Sequence, residues 1–277
     1  MTKVAILIPC HINYEGQIDL LNKCIKSLLE QTKLPESIYI SVLFENKIYK
    51  KDFVNNILQK YGKIMMPKIT FKFSNEQKYQ MEHLHNIYSN IDNNYDMFMF
   101  CDDDDTYHIE RVETFIDAFK YGKDNNLENF GGIREIFKKN NDDPLLEIPE
   151  YWAYGICPKC ITDFFSFFNG KHYKLLQHKF GDMYFRYYLR KNKKYLNWIA
   201  IIDKDEKYNL YKYNINNPNS ICGKIEQGVG NTYDNILLNV LDCRSDRQFY
   251  TIINKICEKE IKVSFKYIYE FCKSLYK

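Results

Sequence analysis

The sequence predicts an α/β protein with an open, mostly parallel sheet, flanked by helices and followed by a C-terminal helical appendage. Three observations support this fold class. Apolar runs alternate with helix-like patterns over residues 1–120, four consecutive aspartates follow one of those runs, and the end of the chain has a helical pattern. Strands that alternate with helices form parallel sheets, because a crossover helix returns the chain to the same end of the sheet.

The beginning of the chain predicts a strand, a helix and a second strand. Residues 4–8 form a continuous apolar run, which Pro9 closes, and a run that is apolar on both faces is typical of a central parallel strand. Apolar residues then recur at three- and four-residue spacing, which predicts a helix over residues 17–31. Residues 38–44, rich in Ile, Tyr and Val, form the second predicted strand.

The alternation continues beyond the second strand. The predicted elements are a helix over 51–61, a strand over 69–73, a helix over 79–89, a strand over 97–101 and a helix over 109–121. The later elements are a strand beginning at 131, a loop over 138–150, an aromatic segment over 151–168 that belongs to the core, a helix over 181–190 and a strand over 198–202. The sequence shows no internal repeat, so one compact unit with a helical tail is expected.

The composition argues against several classes of protein. With 277 residues, 45% hydrophobic and 27% charged, the chain is an ordinary globular sequence, and a net charge of +3 argues against a nucleic-acid partner. No apolar run is long enough for a transmembrane segment, and the run at the start is too short for a signal peptide. Nine cysteines, among which Cys157 and Cys160 form the single C-x-x-C pair, predict free thiols in a reducing compartment, so we expect a cytoplasmic protein.

Four aspartates, Asp102 to Asp105, follow the strand predicted over 97–101. Ligands of open α/β sheets bind outside the carboxyl ends of the strands. Adjacent carboxylates repel one another, and Mn²⁺ or Mg²⁺ relieves that repulsion because both ions prefer hard oxygen ligands. The alternative is a hydrated acidic loop that caps the following helix, where negative charge meets the helix dipole. Position alone leaves both interpretations open.

Five segments, taken in order, resemble family 2 glycosyltransferases of the GT-A fold. They are VAILIPC, LLNKCIKSLLEQT, IYISV, HLHNIYS and MFMFCDDDDTYHIERV. The resemblance covers residues 1–120 well and extends more thinly to about residue 190. It implies a GT-A-like catalytic domain over 1–225, with a nucleotide-sugar-binding half over 1–125 and an acceptor half over 126–225. Residues 226–277 are then a helical extension packed on that domain.

The resemblance also implies an activity. It is the metal-dependent, inverting transfer of one sugar from a nucleotide-diphosphate sugar, with a UDP-sugar favoured, to a hydroxyl of a glycan or another acceptor. Mn²⁺ or Mg²⁺ is the implied cofactor. The sequence lacks the Q-x-x-R-W signature of the processive members, so a non-processive enzyme is expected.

The site residues that the resemblance implies for the donor lie in the first half of the chain. Asp104 is the implied ligand of the metal, and Asp102 lies beside the ribose or the metal. The other implied donor-binding residues are Pro9, Cys10, His11, His85, Asn86 and Asp103. For Asp103 and Asp105, however, capping of the next helix or hydration of the loop is the favoured role.

One departure from the family leaves the nucleobase of the donor without an assigned partner. The aspartate pair that usually ends the second strand is replaced by residues 42–43, Val and Leu. The nucleobase must then be held by Ser41, by Glu45 or by the main chain, and the identity of the nucleotide stays open. His83 and His85 have H-x-H spacing, but on a helix they point about 200° apart, so a shared metal is not expected.

The second half supplies the acceptor side. FGDMYF resembles the Gly-Asp helix start of the family, which makes Asp182 the implied catalytic base. Glu135 and Asp163 are the alternative bases, and a simple helix cap is the alternative role of Asp182. Trp152 is the candidate for stacking on an acceptor sugar. The glycine-bearing loop 227–231 is expected either to order over bound donor or to be a simple turn.

Two rival functions stay open. A nucleotidyltransferase on a related sheet needs a glycine-rich phosphate loop after the first strand, and Gly16 alone does not provide one. A catalytically silent homologue that binds glycans or assembles a complex would share the features named above. Release of a nucleoside diphosphate from a nucleotide sugar distinguishes an active enzyme from the silent homologue.

Overall fold

The computed structural model describes residues 2–76, 78–92, 94–137, 146–147, 150–177, 181–203, 210–214, 217 and 273–275. Its strands are β1 (Val4–Ile12), β2 (Ser37–Phe44), β3 (Lys68–Ser74), β4 (Met97–Phe100), β5 (Thr106–Tyr107), β6 (Phe130–Phe137), β7 (Leu146–Glu147), β8 (Tyr154–Ile156), β9 (Asn197–Asp203) and β10 (Tyr211–Lys212). Its α-helices are α1 (Gly16–Leu29), α2 (Tyr49–Phe53), α3 (Gln59–Tyr61), α4 (Gln80–Tyr88), α5 (Arg111–Asp124), α6 (Pro158–Phe167) and α7 (Gly181–Lys191). A π-helical segment, Val54–Leu58, joins α2 to α3, and 3₁₀ turns lie at Tyr151–Ala153 and Gly170–Leu175.

Eight strands form one sheet. The strand order is β3-β2-β1-β4-β8-β6-β7, and β9 pairs with β6. Strands β3, β2, β1 and β4 all run parallel to their neighbours. Strand β8 runs antiparallel to both β4 and β6, and β9 runs parallel to β6. The predicted open and mostly parallel α/β sheet is confirmed.

Alternate residues of β1 pack into opposite layers of the core. Ala5 and Leu7 lie in the layer that contains α4, and Ile6 and Ile8 lie in the layer that contains α1. Successive side chains of a strand point to opposite faces, so a strand that is apolar throughout needs a helical layer on each face. We refer to these two faces as the α4 side and the α1 side.

Pro9 does not close the first strand, contrary to the prediction. Strand β1 continues to Ile12 and stays paired with β2 to that residue. The carbonyl of Leu7 accepts a hydrogen bond from the amide of Cys101, so the backbone of Leu7, and that of Pro9 two residues later, points toward β4. Strand β4 ends at Phe100. The missing N–H of Pro9 therefore lies beyond the end of β4, where no ladder bond is lost.

The second half agrees with the prediction in its core and differs from it in one loop. The aromatic segment is buried as expected, at Tyr151, Tyr154, Phe164, Phe165 and Phe168. Strand β7 lies inside the stretch 138–150 that was expected to be a loop, and it pairs antiparallel with β6. None of the helices in the described part of the chain combines the length and the apolar character that a membrane crossing requires.

Little of the predicted C-terminal extension is described. In the short stretch 273–275, Leu275 is 1% exposed and belongs to the α4-side core. Its carbonyl accepts a hydrogen bond from the amide of Lys193 at 3.2 Å. The loop 227–231 lies outside the described residues, so its two predicted roles stay predictions.

Candidate active site

The strand order creates a crevice between β1 and β4. From β1 the chain moves outward to β2 and β3, and then returns to the other edge of β1 as β4. Ligands of open α/β sheets bind at such a reversal, outside the carboxyl ends of the two strands. Asp102–Asp105, here called the acidic loop, follows β4 at this point. The amide of His11, near the end of β1, donates a hydrogen bond to Asp103 Oδ2 at 3.3 Å.

Asp102 is held from the α4 side. Its Oδ1 accepts hydrogen bonds from Gln80 Nε2 at 2.8 Å and from the phenol of Tyr151. Gln80 is the first residue of α4, and its Nε2 also lies 2.9 Å from the Tyr151 hydroxyl. The backbone amide of Asp102 donates to the hydroxyl of Tyr211 at 3.0 Å. These side-chain hydrogen bonds orient the carboxylate through one of its two oxygens.

Asp104 and Asp105 are held from the α1 side. Asn217 Nδ2 donates to Asp104 Oδ2 at 2.7 Å. Asp105 is 1% exposed, and its carboxylate accepts hydrogen bonds from the Tyr211 hydroxyl and from the amide of Asn214, both at 2.7 Å. The expected role of Asp105 in hydration or helix capping is wrong, because this side chain is buried and α5 begins several residues later. The four adjacent aspartates therefore bind different partners on opposite sides of the sheet.

Burial is the largest cause that raises the pKa of each carboxyl group in the acidic loop. The pKa of Asp103 rises to about 7, although Cys10, Gln17 and the amide of His11 donate hydrogen bonds to it. The pKa of Asp105 also rises to about 7, because repulsion from the neighbouring aspartate adds to burial. Within the described residues, no Lys or Arg forms an ion pair with this loop. Its negative charge is thus poorly compensated by the described part of the chain.

The acidic loop fits a divalent cation that also binds the phosphates of a ligand. No group of three or more His, Cys, Asp and Glu side chains in the described part of the chain is arranged to hold a metal ion by itself. Mg²⁺ is usually bound through one or two carboxylates, with substrate phosphates and water completing its shell. Asp102 and Asp104 are carboxylates of this kind, and repulsion between them raises the pKa of Asp102. A cation would relieve that repulsion.

A cavity of about 260 Å³ borders Asp104 on the α1 side. Its lining consists of Leu20, Lys23, Asp104, Thr106, Lys212, Tyr213 and Asn214. Lys23 and Lys212 are exposed, and neither forms an ion pair with another described residue. The cavity therefore presents two cationic side chains beside one carboxylate, a pattern that suits a phosphate group whose counterion binds the carboxylate.

Asp182 lies in the first turn of α7, beside a guanidinium group. Nη1 of Arg186 is 3.5 Å from Asp182 Oδ2, and Nη2 of Arg186 donates to Glu150 Oε1 at 2.6 Å. Burial raises the pKa of Asp182, and the charge of Arg186 opposes that rise. Burial also raises the pKa of Glu150 to about 7. Because Glu150 directly precedes Tyr151, the contacts of Asp182 lead back to the group that binds Asp102.

The two alternative bases have other partners. Glu135 is 2% exposed and forms an ion pair with the buried guanidinium of Arg111. Asp163, on α6, accepts hydrogen bonds from Lys194 and, at 2.6 Å, from the Tyr195 hydroxyl. Neither carboxylate contacts the acidic loop in the described hydrogen bonds, and Asp182 does not contact it directly either. The choice among the three as catalytic base stays a prediction.

Near the carboxyl end of β2, Ser41 contacts His83, for which the sequence predicted no shared metal with His85. Ser41 Oγ lies 2.7 Å from His83 Nδ1, and both side chains are buried. Nε2 of His83 has no hydrogen-bond partner among the described residues. Glu45 is exposed and raises the pKa of His11 against a larger lowering by burial. Ser41 is thus held on the α4 side, whereas Glu45 lies at the surface near His11.

The structure does not bring His85 and Asn86 to the acidic loop through any described contact. The ring of His85 packs against Phe165 and Tyr173, with centroid distances of 5.1 and 5.5 Å. The carbonyl of Asn86 accepts a hydrogen bond from the side chain of Asn90 at 2.8 Å. Their roles in donor binding stay predictions.

Another aromatic ring covers one face of Trp152, the candidate for stacking on an acceptor sugar. The ring of Tyr211 stacks on it, with a centroid distance of 4.0 Å and an interplanar angle of 12°. The carbonyl of Trp152 accepts a hydrogen bond from Arg111 Nη2 at 2.8 Å. Protein therefore covers part of the surface that was predicted for an acceptor, and Trp152 supports Tyr211, which binds Asp102 and Asp105.

Several residues around the acidic loop were missed from the sequence. They are Lys23, Gln80, His83, Glu150, Tyr151, Arg186, Tyr211, Lys212 and Asn217. Most of them reach the loop from segments distant in the chain, so no local pattern marks them. Arg186 is the exception, because its four-residue spacing from Asp182 in a predicted helix places the two side chains on the same face.

Comparisons with known proteins agree with this architecture. No protein-family model matches the sequence, and no curated protein matches it. Among solved structures, a mannosyltransferase from Pyrobaculum calidifontis in complex with GDP-Man and Mn²⁺ matches with a TM-score of 0.53 at 10% identity, over 99% of this chain and 73% of that chain. The chain therefore has a GT-A-like α/β fold.

Three further solved structures match more weakly. S. aureus TarS 1–349 in complex with UDP-GlcNAc has a TM-score of 0.46 at 10% identity, over 99% of this chain and 71% of that chain. In a longer TarS structure this chain spans 42% of the length, with a TM-score of 0.45 at 10% identity over 98% of this chain. A 4-diphosphocytidyl-2C-methyl-D-erythritol synthase from Anaerococcus prevotii has a TM-score of 0.47 at 12% identity, over 81% of this chain and 96% of that chain. The fold assignment rests on the mannosyltransferase, because the TM-scores of the other structures are lower.

Proposed function

We propose that this protein is a metal-dependent, inverting and non-processive glycosyltransferase. It moves one sugar from a nucleotide-diphosphate sugar, with a UDP-sugar favoured, to a hydroxyl of a glycan or another acceptor. The observation that carries the proposal is the series of contacts from the acidic loop at the β1/β4 crevice to Asp182. It runs from Asp102 to Tyr151, and from Glu150 through Arg186 to Asp182. These contacts connect the proposed site for the leaving diphosphate with the proposed catalytic base, which lies on a separate segment.

The donor diphosphate lies over the acidic loop in this proposal. Asp102 and Asp104 hold Mn²⁺ or Mg²⁺, which, when bound, neutralises charge on the leaving diphosphate. Lys23 and Lys212, at the cavity beside Asp104, supply further positive charge to phosphate oxygens. Tyr151 keeps the Asp102 carboxylate oriented through its hydrogen bond. In this proposal the chain provides both the carboxylate ligands of the cation and positive charge for the leaving diphosphate.

The nucleoside lies at the carboxyl ends of β1 and β2. Residues 9–11 form the end of β1 beside the acidic loop, and the amide of His11 is already bonded to Asp103. Ser41 and Glu45 lie near the end of the neighbouring strand, and either is a candidate to hold the nucleobase. This placement agrees with the general location of ligands at a strand-order reversal.

Asp182 acts as the general base. Its carboxylate takes the proton of the acceptor hydroxyl, while the hydroxyl oxygen forms a bond to the anomeric carbon. The bond from that carbon to the diphosphate oxygen breaks, and its electron pair leaves with the diphosphate. Attack from the face opposite to the leaving group inverts the anomeric configuration. Arg186 orients Asp182, and its charge opposes the rise that burial causes in the pKa of Asp182.

The proposed enzyme works in the cytoplasm. Cys10, Cys24 and Cys101 are free, buried thiols close to the acidic loop. Such thiols persist in a reducing compartment.

The test is release of nucleoside diphosphate from a panel of UDP- and GDP-sugars with Mn²⁺ and candidate glycan acceptors. We expect Asp182→Asn to lower the transfer rate about 10²–10⁴-fold, while nucleotide and Mn²⁺ still bind. Asp117→Asn is the matched control, because Asp117 is an exposed aspartate on α5 whose described partner is Lys120. Transfer by Asp182→Asn at the parental rate would reject Asp182 as the base. Donor binding with no diphosphate release from any sugar would favour the catalytically silent homologue. Pyrophosphate release from a nucleoside triphosphate would favour the nucleotidyltransferase.

A further inference from the structure

His83 is a buried histidine with one unpaired nitrogen, beside the proposed nucleoside site. Its side chain is 1% exposed, and Nε2 is buried without a hydrogen-bond partner among the described residues. Buried polar atoms are nearly always paired, so an exception needs an explanation. The proposed sugar transfer makes no use of this nitrogen.

The fold places His83 on the α4 side of the sheet, from which the carboxylate of Asp102 is also held. His83 and Gln80 lie three residues apart on α4, so they share one face of that helix. Gln80 reaches Asp102, while His83 reaches Ser41 on β2. In the register of β1 and β2, Ser41 lies opposite Pro9. His83 therefore lies on the α4 side of the sheet, near the carboxyl ends of β1 and β2.

The position of the ring proton of His83 depends on the direction of its hydrogen bond with Ser41. The hydroxyl of Ser41 has no other described acceptor, so it is satisfied when it donates to Nδ1 of His83. The ring proton then lies on Nε2. In this tautomer Nε2 is a buried, neutral N–H donor. Burial, with the nearby charges of His11 and Lys78, lowers the pKa of His83 to about 4, which keeps the ring neutral at pH 7.

A buried N–H donor without a partner is satisfied when a ligand supplies a hydrogen-bond acceptor. We propose that Nε2–H of His83 reads a carbonyl oxygen on the nucleobase of the donor. Uracil, cytosine and guanine carry such an oxygen, and adenine does not. This inference rests on the proposed function and adds to it the residue that selects the base.

His11 lies on the same side of the sheet as His83. Leu7 faces the α4 side, and residues two and four positions later on a strand share its face. The imidazole of His11 makes no hydrogen bond with another described residue, and its amide is already bonded to Asp103. Movement of the His11 ring on ligand binding therefore breaks no described hydrogen bond.

The test compares UDP, ADP and inorganic pyrophosphate, each with Mn²⁺, by titration calorimetry. We expect the parent to bind UDP more tightly than ADP. His83→Phe keeps the ring and removes the donor, so its affinity for UDP falls about 3–10-fold, the effect of one lost neutral hydrogen bond. Its affinities for ADP and pyrophosphate stay at the parental values. His83→Gln keeps an N–H donor near the position of Nε2 and retains the preference for UDP.

The control is His108→Phe, at a partly buried histidine outside the proposed nucleotide site, and it should keep the parental preference. Thermal unfolding establishes that each variant folds. If His83→Phe does not fold, Ser41→Ala serves instead: it removes the bond that selects the tautomer, and we expect it to reduce the UDP/ADP ratio. If His83→Phe loses affinity equally for UDP and ADP, or loses none, the role of His83 is overturned and the proposed function is not. A parent that binds none of the nucleoside diphosphates overturns the proposed function as well.

Discussion

The phenol of Tyr151 donates a hydrogen bond to the carboxylate of Asp102, which lies 49 positions earlier in the chain. Tyr151 is 2% exposed, and its neighbour Glu150 accepts a hydrogen bond from Arg186 at 2.6 Å. Arg186 lies 3.5 Å from Asp182. A single peptide link thus connects the group that orients the acidic loop to the group that orients the proposed base. Displacement of either end should disturb the other.

Removing the Tyr151 hydroxyl should weaken donor binding without unfolding the protein. Tyr151→Phe keeps the ring contacts with Phe100 and Phe185 but removes the bond to Asp102. Hydrogen bonds to charged groups contribute about 1.5–3 kcal/mol, so we expect about a tenfold or larger loss of Mn²⁺-dependent UDP affinity by calorimetry. Tyr195→Phe, which loses a bond to Asp163 instead, is the control. Equal UDP affinity in Tyr151→Phe and the parent would contradict the role of this bond.

Neighbouring aspartates should respond differently to the same substitution. Asp104→Asn removes a proposed ligand charge next to the cavity, so we expect weaker Mn²⁺ and nucleotide binding with the melting temperature kept. Asp105→Asn alters a buried acceptor that serves Tyr211 and the amide of Asn214, so we expect a lower melting temperature. Calorimetry and thermal unfolding of both variants measure the difference. An Asp104→Asn protein that binds nucleotide and Mn²⁺ as the parent does would show that the metal lies elsewhere.

The buried pair of Arg111 and Glu135 should stabilise the fold as a unit. Arg111 is 0% exposed, pairs with Glu135 and donates to the carbonyl of Trp152 at 2.8 Å. Arg111→Met leaves the carboxylate buried without its partner, which should lower the free energy of unfolding by about 3–5 kcal/mol. The double variant Arg111→Met, Glu135→Leu should recover part of that loss. Urea unfolding of the two single variants and the double variant gives the coupling, and strictly additive losses would contradict it.

Stability should fall in mild acid partly because of His83. Its folded pKa is about 4, below the ordinary value of 6.5. Between these values the unfolded chain binds the proton and the folded chain does not, so the free energy of unfolding decreases as the pH is lowered through this window. His83→Gln cannot take up that proton. We expect the parent to lose on the order of 2–3 kcal/mol more than His83→Gln between pH 7 and pH 4, as measured by urea unfolding.

The order of the elements could be predicted because each leaves a local pattern. Residues 4–8 are apolar throughout since β1 is covered on both faces, and α1 repeats its apolar residues at helical spacing since one face is buried. The end of β1 could not be predicted in the same way. Whether Pro9 breaks a strand depends on what lies opposite its missing N–H, and that is decided by where β4 ends.

The sequence by itself determined that four carboxylates follow a buried strand and that Asp182 begins a later helix. These facts follow from residues adjacent in the chain. The tertiary structure alone decided that Asp102 meets Tyr151 on one side of the sheet while Asp105 meets Tyr211 on the other. It also decided that Ser41 meets His83. Such contacts depend on strand order and helix packing, which bring distant residues together and which no local spacing encodes.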